Sequence, residues 1–241
     1  MALAESSAAA PLPVPTYRHE QKLFRAGYKR IAGVDEAGRG PLAGPVVAAA
    51  VVLDPKRMPR GLADSKLLQP DEREVLFEKL CACAEISFAF GSVTAIDSIN
   101  ILQATLVAMR RAVLGLAAPP DAVLVDGNVL PQGLPCHARA LVGGDAICKS
   151  VAAASIVAKV IRDRLMARCD GAFAGYGLAA HKGYSTKEHQ AALTALGPCR
   201  LHRRSFWRVA ACYEKQEGLQ LEPISAIVES EIEILVSSGS T

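Results

Sequence analysis

The sequence predicts an α/β domain built on a mixed β-sheet, with helices packed on both faces of the sheet. Two observations lead to this fold class. Residues 31–34 and 46–53 are short apolar runs separated by a turn rich in glycine and proline, a pattern typical of an antiparallel hairpin. Further along the chain, short apolar runs are separated by helical segments, and such crossovers join parallel strands. A sheet with both kinds of pairing follows.

The predicted elements begin at residue 17. Asp71 and Glu72 lie in the first turn of one helix, where acidic side chains favour the helix dipole. Ser98 is predicted to cap the next helix, because apolar residues then recur at the spacing of one helix face. In chain order we predict a helix within 17–29, strands at 31–34 and 46–53, a helix from 70 to about 84, a strand at 86–93, a helix from 98 to 118, strands at 122–125 and 137–142, a long helix from about 150 to 169, and a short helix after 181–189.

Composition excludes several classes of protein. Hydrophobic residues make up 51% and charged residues 21% of the 241 residues, as in folded soluble proteins. No apolar run approaches the length of a membrane span, so we expect no membrane association. The first fifteen residues have no basic start, so no secretory signal is predicted and a cytoplasmic protein is expected. The seven cysteines form no CxxC pair, which excludes a zinc ribbon and a thioredoxin-type motif.

The chain is long enough for one large domain with appendages. Residues 1–16 are rich in alanine and proline and are predicted to be a disordered tail. Residues 17–214 are predicted to form the domain, including a helical C-terminal part. Residues 215–241 are predicted to be an extension outside it, in which 223–236 have the apolar spacing of one amphipathic helix.

Acidic residues follow three of the predicted strands. Asp35 and Glu36 end the first apolar run, Asp126 ends the run at 122–125, and Asp145 follows the run at 137–142. Sites in α/β proteins gather at the carboxyl ends of parallel strands. Clustered carboxylates repel one another unless a cation compensates them, and hard divalent cations take carboxylate oxygens. These acids therefore suggest a metal site, although solvated charges at strand ends are the alternative for any one pair.

Basic residues gather in two stretches while the net charge is only +3. One stretch is 181–187, and the other contains His202, Arg203, Arg204 and Arg208. A local basic surface on a nearly neutral protein is compatible with binding phosphates.

Seven motifs, in this order along residues 28–208, resemble ribonuclease HII of the bacterial type. They are GVDEAGRGPLAGPVVAAAV from Gly33, DSK at 64–66, NILQAT at 100–105, VDGN at 125–128, GDA at 144–146, AAASIVAKVIRD at 152–163 and HKGYST at 181–186. The resemblance implies a ribonuclease H-like fold, with a five-stranded mixed sheet flanked by helices and a small helical C-terminal region. It also implies a monomeric endoribonuclease that depends on Mg²⁺ or Mn²⁺.

The resemblance implies a substrate and a reaction. The substrates are RNA–DNA hybrid duplexes and single ribonucleotides embedded in duplex DNA. Two-metal-ion catalysis cuts the phosphodiester on the 5′ side of the ribonucleotide and leaves 3′-OH and 5′-phosphate ends. The roles implied are ribonucleotide excision and removal of RNA primers.

The resemblance also assigns roles to residues of this sequence. The metal-binding and catalytic acids fall on Asp35, Glu36, Asp126 and Asp145, and Asp163 matches a supporting acid. Recognition of the ribose 2′-hydroxyl falls on Gly38, Arg39, Gly40 and Tyr184. Phosphate contacts are implied for Lys66, Lys149, Ser150 and Lys182. We expect no catalytic role for His181 or His202.

Three alternatives and two departures qualify this interpretation. Ribonuclease HIII shares the core, but only about thirty residues precede the first acid here, too few for that group's additional N-terminal domain. A catalytically inactive nucleic-acid-binding module is disfavoured by the presence of all four acids. A phosphate-binding enzyme is disfavoured because GRGPLAG is neither GxGxxG nor GxxxxGK[ST]. Gly143 replaces an expected lysine, and SFW at 205–207 replaces a commoner ending, which affects expectations about duplex binding only.

Overall fold

The computed structural model describes residues 14–220, with side chains as far as Tyr213 in the last helix. Five strands and eight helices make up this part of the chain, two of the helices being single turns. In chain order they are α1 (Arg18–Arg25), β1 (Ile31–Ala37), β2 (Val46–Leu53), α2 (Pro70–Cys83), β3 (Ala84–Gly91), α3 (Val93–Leu114), β4 (Ala122–Asp126), β5 (His137–Leu141), α4 (Gly144–Ile147), α5 (Lys149–Ala172), α6 (Leu178–His181), α7 (Lys187–Leu196) and α8 (Trp207–Gln220).

The strands form one mixed sheet in the order β3-β2-β1-β4-β5. β1, β2 and β3 pair antiparallel, so the predicted hairpin across the glycine-rich turn is confirmed. β1 and β4 pair parallel, and so do β4 and β5. The central position of β1 places its carboxyl end between an antiparallel and a parallel neighbour, and the carboxyl ends of β1 and β4 lie at the same edge of the sheet.

Helices cover both faces of the sheet. Alternate residues of β1, such as Ala32 and Val34, pack with α3 on one face. On the other face, α5 and α2 pack over β2 in a second core cluster rich in alanine and valine. Gly33 brings α5 close, because a Cβ atom there would lie 2.0 Å from the backbone carbon of Ser150. The small side chains therefore set how near the first turn of α5 approaches β1.

The helix after β3 differs from the prediction. Ser92, and not Ser98, is its N-cap, since the Ser92 hydroxyl accepts a hydrogen bond from the N–H of Ala95 at 3.1 Å. The helix is interrupted at Asn100, whose φ of 66° and ψ of 165° are not helical. The Asn100 side chain accepts from the N–H of Gln103 at 3.0 Å and so caps the second half. The prediction was wrong because Ser98 lies inside the first half.

The two predicted boundaries of the domain fall near the ends of the described residues. Thr16 pairs with Cys148 in a short parallel bridge, so contacts with the domain begin within the region predicted as a tail. α8 continues across the predicted boundary at residue 214. The amphipathic helix predicted at 223–236, and residues 1–13 of the predicted tail, lie outside the described residues.

Within residues 14–220, none of the helices combines the length and the hydropathy required to cross a bilayer.

Candidate active site

Three carboxylates meet where β1 and β4 end. Val34 lies opposite Val125 in the parallel pair, so the residues that follow them, Asp35 and Asp126, lie side by side. Oxygen atoms of Asp35, Glu36 and Asp126 lie within 4.8 Å of one another. The fold therefore places these acids in one cluster, because the strands that carry them are neighbours and parallel.

Burial makes this cluster electrostatically unfavourable by itself. Asp35 is only 3% exposed, and burial followed by the charges of Glu36 and Asp126 holds its pKa well above the usual range. Burial also raises the pKa of Asp126, although its carboxylate accepts a hydrogen bond from the Gly144 N–H at 2.7 Å. Burial raises the pKa of Glu36 too, against the opposing charge of Arg39 at 3.3 Å.

A divalent cation suits this donor set. Three carboxylates supply hard oxygen ligands within a few ångströms, and one partly exposed arginine offers the trio little compensation. A bound cation would favour the charged form of each acid and remove the repulsion that raises their pKa values. Asp35, Glu36 and Asp126 are thus the residues that fit a metal.

Asp145 lies next to this cluster but outside it. It occupies the first turn of α4, and its carboxylate pairs with the Nζ atom of Lys66 at 2.9 Å. Burial alone would lower the pKa of Lys66, but the hydrogen bond and charge of Asp145 raise it overall. The N–H of the preceding residue, Gly144, donates to Asp126, and the charge of Asp145 contributes to the raised pKa of Asp126, so Asp145 lies close to the trio.

A cavity of about 250 Å³ joins the acids to the other predicted recognition residues. Besides the three acids, its walls contain Ser65, Lys66 and Lys159, the segment Ala37, Gly38, Arg39 and Gly40, and Tyr184. The structure thus brings three of the four predicted metal-binding acids and the predicted 2′-hydroxyl residues to one site, whereas Asp145 does not line it. Tyr184 is 43% exposed there, and the Lys159 Nζ atom lies 5.5 Å from the centre of its ring.

Gly38 and Gly40 differ in whether the folded protein requires a glycine at the position. Gly38 has a φ of +95°, and a Cβ there would lie 2.0 Å from the Arg162 Nε atom. Both the backbone and the packing therefore require glycine at this position. At Gly40 a Cβ would meet nothing within 4 Å. The folded chain itself gives no reason for a glycine at residue 40.

Two buried arginines hold this glycine-rich segment, a role that was not predicted for either of them from the sequence. Arg203 donates to the carbonyl oxygens of Gly38, Arg39 and Gly44 at 2.6, 2.9 and 2.9 Å. Arg162 donates to the carbonyls of Ala43, Pro45 and Lys182 at 3.0, 3.1 and 3.0 Å.

The burial of His202 and Arg203 corrects the interpretation of the second basic stretch as a surface. Arg203 and His202 were predicted within a basic surface, but both are buried, whereas Arg204 and Arg208 are exposed. Burial and the charge of Arg162 lower the pKa of Arg203 to about 9, so its guanidinium stays charged at neutral pH. The local sequence of a basic stretch does not show which of its side chains is buried.

Buried histidines support the loop that carries Tyr184. The His189 Nδ1 atom lies 2.8 Å from the Tyr184 carbonyl oxygen, and its Nε2 atom lies 3.1 Å from His202 Nε2. The Cys199 N–H donates to His202 Nδ1 at 3.0 Å. His202 therefore donates from Nε2 to His189, which in turn donates to Tyr184. These rings, and His181 stacked on His189, lie in packed hydrogen-bonded positions.

The remaining predicted residues lie at different distances from the cavity. Asp163 pairs with Lys159 at 2.9 Å and lines a neighbouring groove, as does Lys182, whose ammonium group contacts the carbonyl of Ala179. Lys149 begins α5, beside Thr16. Ser150 is buried and its N–H donates to Glu20, so this geometry does not favour a phosphate contact there. Gly143 has a φ of 64°, which suits glycine better than the lysine expected there.

Comparison with known proteins identifies the family. The family model for Ribonuclease HII matches residues 32–209. The chain belongs to the ribonuclease HII family. Ribonuclease HII of Rhizobium meliloti (strain 1021) is 56% identical over 194 residues, covering 80% of this chain and 90% of that protein. Ribonuclease HII of Rhizobium leguminosarum bv. trifolii (strain WSM2304) is 57% identical over 198 residues, or 82% and 86% of the two chains.

A solved structure supports the same conclusion. The crystal structure of ribonuclease H2 from Pyrococcus horikoshii OT3 is 30% identical, with a TM-score of 0.66, and the match covers 78% of this chain and 98% of that one. The predicted ribonuclease H-like fold, with a five-stranded mixed sheet flanked by helices, is confirmed. Membership of the ribonuclease HII family makes the protein an endonuclease of the ribonuclease H type.

Proposed function

We propose that this ribonuclease HII cuts the phosphodiester on the 5′ side of ribonucleotides, both in RNA–DNA hybrids and at single ribonucleotides within duplex DNA. The observation that carries the proposal is the shared cavity, which joins three clustered carboxylates to the segment Gly38–Gly40 and to Tyr184. A site that combines a metal-binding cluster with exposed backbone groups is suited to cleave next to a sugar that it recognises.

Two divalent ions, Mg²⁺ or Mn²⁺, are proposed to bind Asp35, Glu36, Asp126 and Asp145. Such ions would activate a water for attack at phosphorus and neutralise the charge that develops on the leaving oxygen. The carboxylates would hold the ions. Lys66, freed from Asp145, would lie close enough to the cavity to contact a phosphate. The P–O3′ bond breaks, so the upstream strand ends in a 3′-OH and the ribonucleotide keeps a 5′-phosphate.

The remaining cavity residues are proposed to recognise the ribonucleotide. The backbone of Gly38, Arg39 and Gly40 would contact the 2′-hydroxyl, which is the group that separates RNA from DNA. The exposed ring of Tyr184 would pack against the deoxyribose that follows. Lys149 and Lys182 would contact phosphates further along the duplex, and Asp163 would support the site through Lys159.

One chain supplies every residue of this site, which supports a monomer as the active form. We propose that the enzyme acts in the cytoplasm, where it would excise ribonucleotides from DNA and remove RNA primers.

The experiment uses an end-labelled DNA duplex with one central ribonucleotide, incubated with Mg²⁺ and separately with excess chelator. We expect a single cut on the 5′ side of the ribonucleotide that requires the metal, with a 3′-OH on the labelled fragment. An all-deoxy duplex of the same sequence is the matched control and should stay intact.

Other outcomes separate the parts of the proposal. Cleavage of a long RNA–DNA hybrid without cleavage at the single ribonucleotide would keep the nuclease but remove the proposed recognition of an isolated ribonucleotide. Cleavage that persists in chelator would contradict the metal mechanism. Failure to cut either substrate would contradict the proposal as a whole.

A further inference from the structure

All described hydrogen bonds of the Arg203 guanidinium go to backbone carbonyl oxygens beside the active site. It is fully buried, and its three acceptors are the carbonyl oxygens of Gly38, Arg39 and Gly44. Among residues 14–213, whose side chains the structure describes, no carboxylate forms an ion pair with it. Burying a charge without a counter-ion is costly unless hydrogen bonds compensate it. The three carbonyls therefore compensate the buried charge, and the same hydrogen bonds fix the orientation of those carbonyls.

The same peptide groups present N–H donors in the opposite direction. The carbonyl of Gly38 shares its peptide bond with the Arg39 N–H, and the carbonyl of Arg39 shares its bond with the Gly40 N–H. Every peptide bond in the described chain is trans, so C=O and N–H point to opposite sides. Neither the Arg39 N–H nor the Gly40 N–H donates to a backbone acceptor within residues 14–220 or to a side chain within residues 14–213. Both residues line the cavity that contains the acids.

A charged donor on a carbonyl also strengthens the N–H of the same peptide group. Hydrogen bonds polarise one another in a buried site, so a carbonyl that accepts from a cation leaves its amide a better donor. Arg203 acts in this way on two consecutive peptide groups at once. Orientation and polarisation therefore favour the same result, which is two N–H groups directed into the cavity as strong donors.

We propose that Arg203 is a positioning residue for substrate specificity, which orients and polarises the Arg39 and Gly40 N–H groups so that they donate to the 2′-hydroxyl oxygen of the ribonucleotide. This inference rests on the proposed function, because it explains how the proposed enzyme discriminates between RNA and DNA.

Arginine is required at this position because of its shape. Its planar fork reaches three separate carbonyls, whereas a lysine ammonium is a compact group on a flexible stem. Arg162 has a complementary role, since it joins the carbonyl of Ala43 to that of Lys182 and so ties the glycine-rich segment to the loop that carries Tyr184.

The test compares Arg203→Ala and Arg203→Lys with the unmodified protein under cleavage conditions with Mg²⁺. The first quantity is kcat/KM on the duplex with one ribonucleotide, for which we expect a loss of about 100-fold for alanine and about 10-fold for lysine. The second is the inhibition constant of an all-deoxy duplex as competitor, which should change by less than about twofold, because that duplex has no 2′-hydroxyl. The third is rescue of Arg203→Ala by millimolar guanidinium, which should restore about tenfold of the lost activity.

Two control variants separate positioning from general damage. Arg110→Ala removes an arginine that also donates to a glycine carbonyl, that of Gly133, but at an exposed site that does not line the cavity. Leu80→Ala lowers stability by opening the core between α2 and α5. Neither control should respond to guanidinium. If Arg203→Ala does not fold, the comparison of kcat/KM with the inhibition constant in Arg203→Lys decides.

Three results would overturn the inference. The first is a rise in the inhibition constant of the all-deoxy duplex that parallels the loss of kcat/KM, because a parallel rise means that the whole binding surface is damaged. Unchanged kcat/KM in a folded Arg203→Ala protein would show that the side chain positions nothing. If the unmodified protein fails to cut at a single ribonucleotide, the proposed function fails and this inference fails with it.

Discussion

Asp35 and Asp126 show how the site depends on single carboxylates. Each is held at a strand end with its pKa raised by burial, so neither would be stable as an anion without a compensating charge. Replacing one by an amide removes both a negative charge and a metal ligand. The shape of the side chain stays almost the same.

We predict that Asp35→Asn or Asp126→Asn lowers kcat by about 1,000-fold or more, because each removes a ligand of an ion that stabilises the transition state. Duplex binding should stay within about threefold of the unmodified protein, since loss of an acid removes no contact to phosphate. Steady-state cleavage, and binding followed by fluorescence anisotropy, measure the two effects. Asp54→Asn, in the turn after β2, is the control and should cut normally. Cleavage retained in either site variant would remove these acids from the mechanism.

Gly38 and Gly40 allow stability and recognition to be separated. Gly38→Ala is expected to lower the free energy of unfolding by about 3 kcal/mol, because the new Cβ meets Arg162 and the backbone has a positive φ. Gly40→Ala should change it by less than about 0.5 kcal/mol, because the Cβ meets nothing. The same Cβ would nevertheless stand beside the proposed N–H donors, so kcat/KM should fall about tenfold or more. Urea unfolding and cleavage assays test this; full activity in Gly40→Ala would show that substrate does not approach residue 40.

At the scale of elements, α5 and α3 are shaped by particular residues. The glycine at residue 33 lets the first turn of α5 lie against β1, and Glu20 of α1 accepts the Ser150 N–H at 2.8 Å. This contact satisfies one of the free N–H groups at the start of α5. In α3, the interruption at Asn100 divides one long helix into two segments, each with its own cap.

Asn100 therefore has a testable role in α3. We expect Asn100→Ala to lower the free energy of unfolding by about 2 kcal/mol, because it loses the cap to Gln103 and leaves a Cβ in a conformation that favours glycine. Asn100→Gly should cost less than about 1 kcal/mol, since glycine adopts this conformation without strain. Ser98→Ala is the control and should be nearly neutral, because Ser98 is exposed and caps nothing. Chemical denaturation provides the values; equal losses for Asn100→Ala and Asn100→Gly would contradict the strain.

At the scale of the whole molecule, the buried histidines make stability depend on pH. Burial, followed by the neighbouring His189, lowers the pKa of His202 to about 4. Its surroundings contain His189, His181, Cys199 and the ring of Tyr176, and no carboxylate contacts it among the described residues. Between pH 6.5 and 4 the unfolded chain therefore binds a proton at this residue that the folded chain does not.

We predict that the free energy of unfolding falls as the pH falls from about 6.5 towards 4, with His202 alone contributing up to about 3 kcal/mol over that interval. His202→Asn keeps an acceptor for the Cys199 N–H but cannot titrate. Its stability should therefore fall less steeply over the same range, even if it is lower at pH 7.5. Urea unfolding at several pH values measures both curves. Parallel curves for the two proteins would show that His202 is not the group responsible.

Much of the architecture could be predicted from local patterns. The hairpin of β1 and β2, the parallel strands β4 and β5, and the long helix α5 were each expected within a few residues of their observed bounds. Apolar runs, turn residues and helical spacing are local properties, so the sequence carries them directly. The position of Asp35, Glu36 and Asp126 at strand ends was visible for the same reason, and the family motifs named them.

The details that depend on distant contacts could not be predicted. Arg203 looks like its exposed neighbours in the sequence, and only the carbonyls of residues 38–44, about 160 positions earlier, give it a buried place. Likewise, only the packed structure shows that Ser150 faces Glu20 and that Asp145 pairs with Lys66. The sequence alone determined the five strands, the main helices apart from the start and interruption of α3, and the acids, because these follow from local spacing and motif. Tertiary structure decided which charges are buried and what they hold, because burial is a property of segments that meet only in the fold.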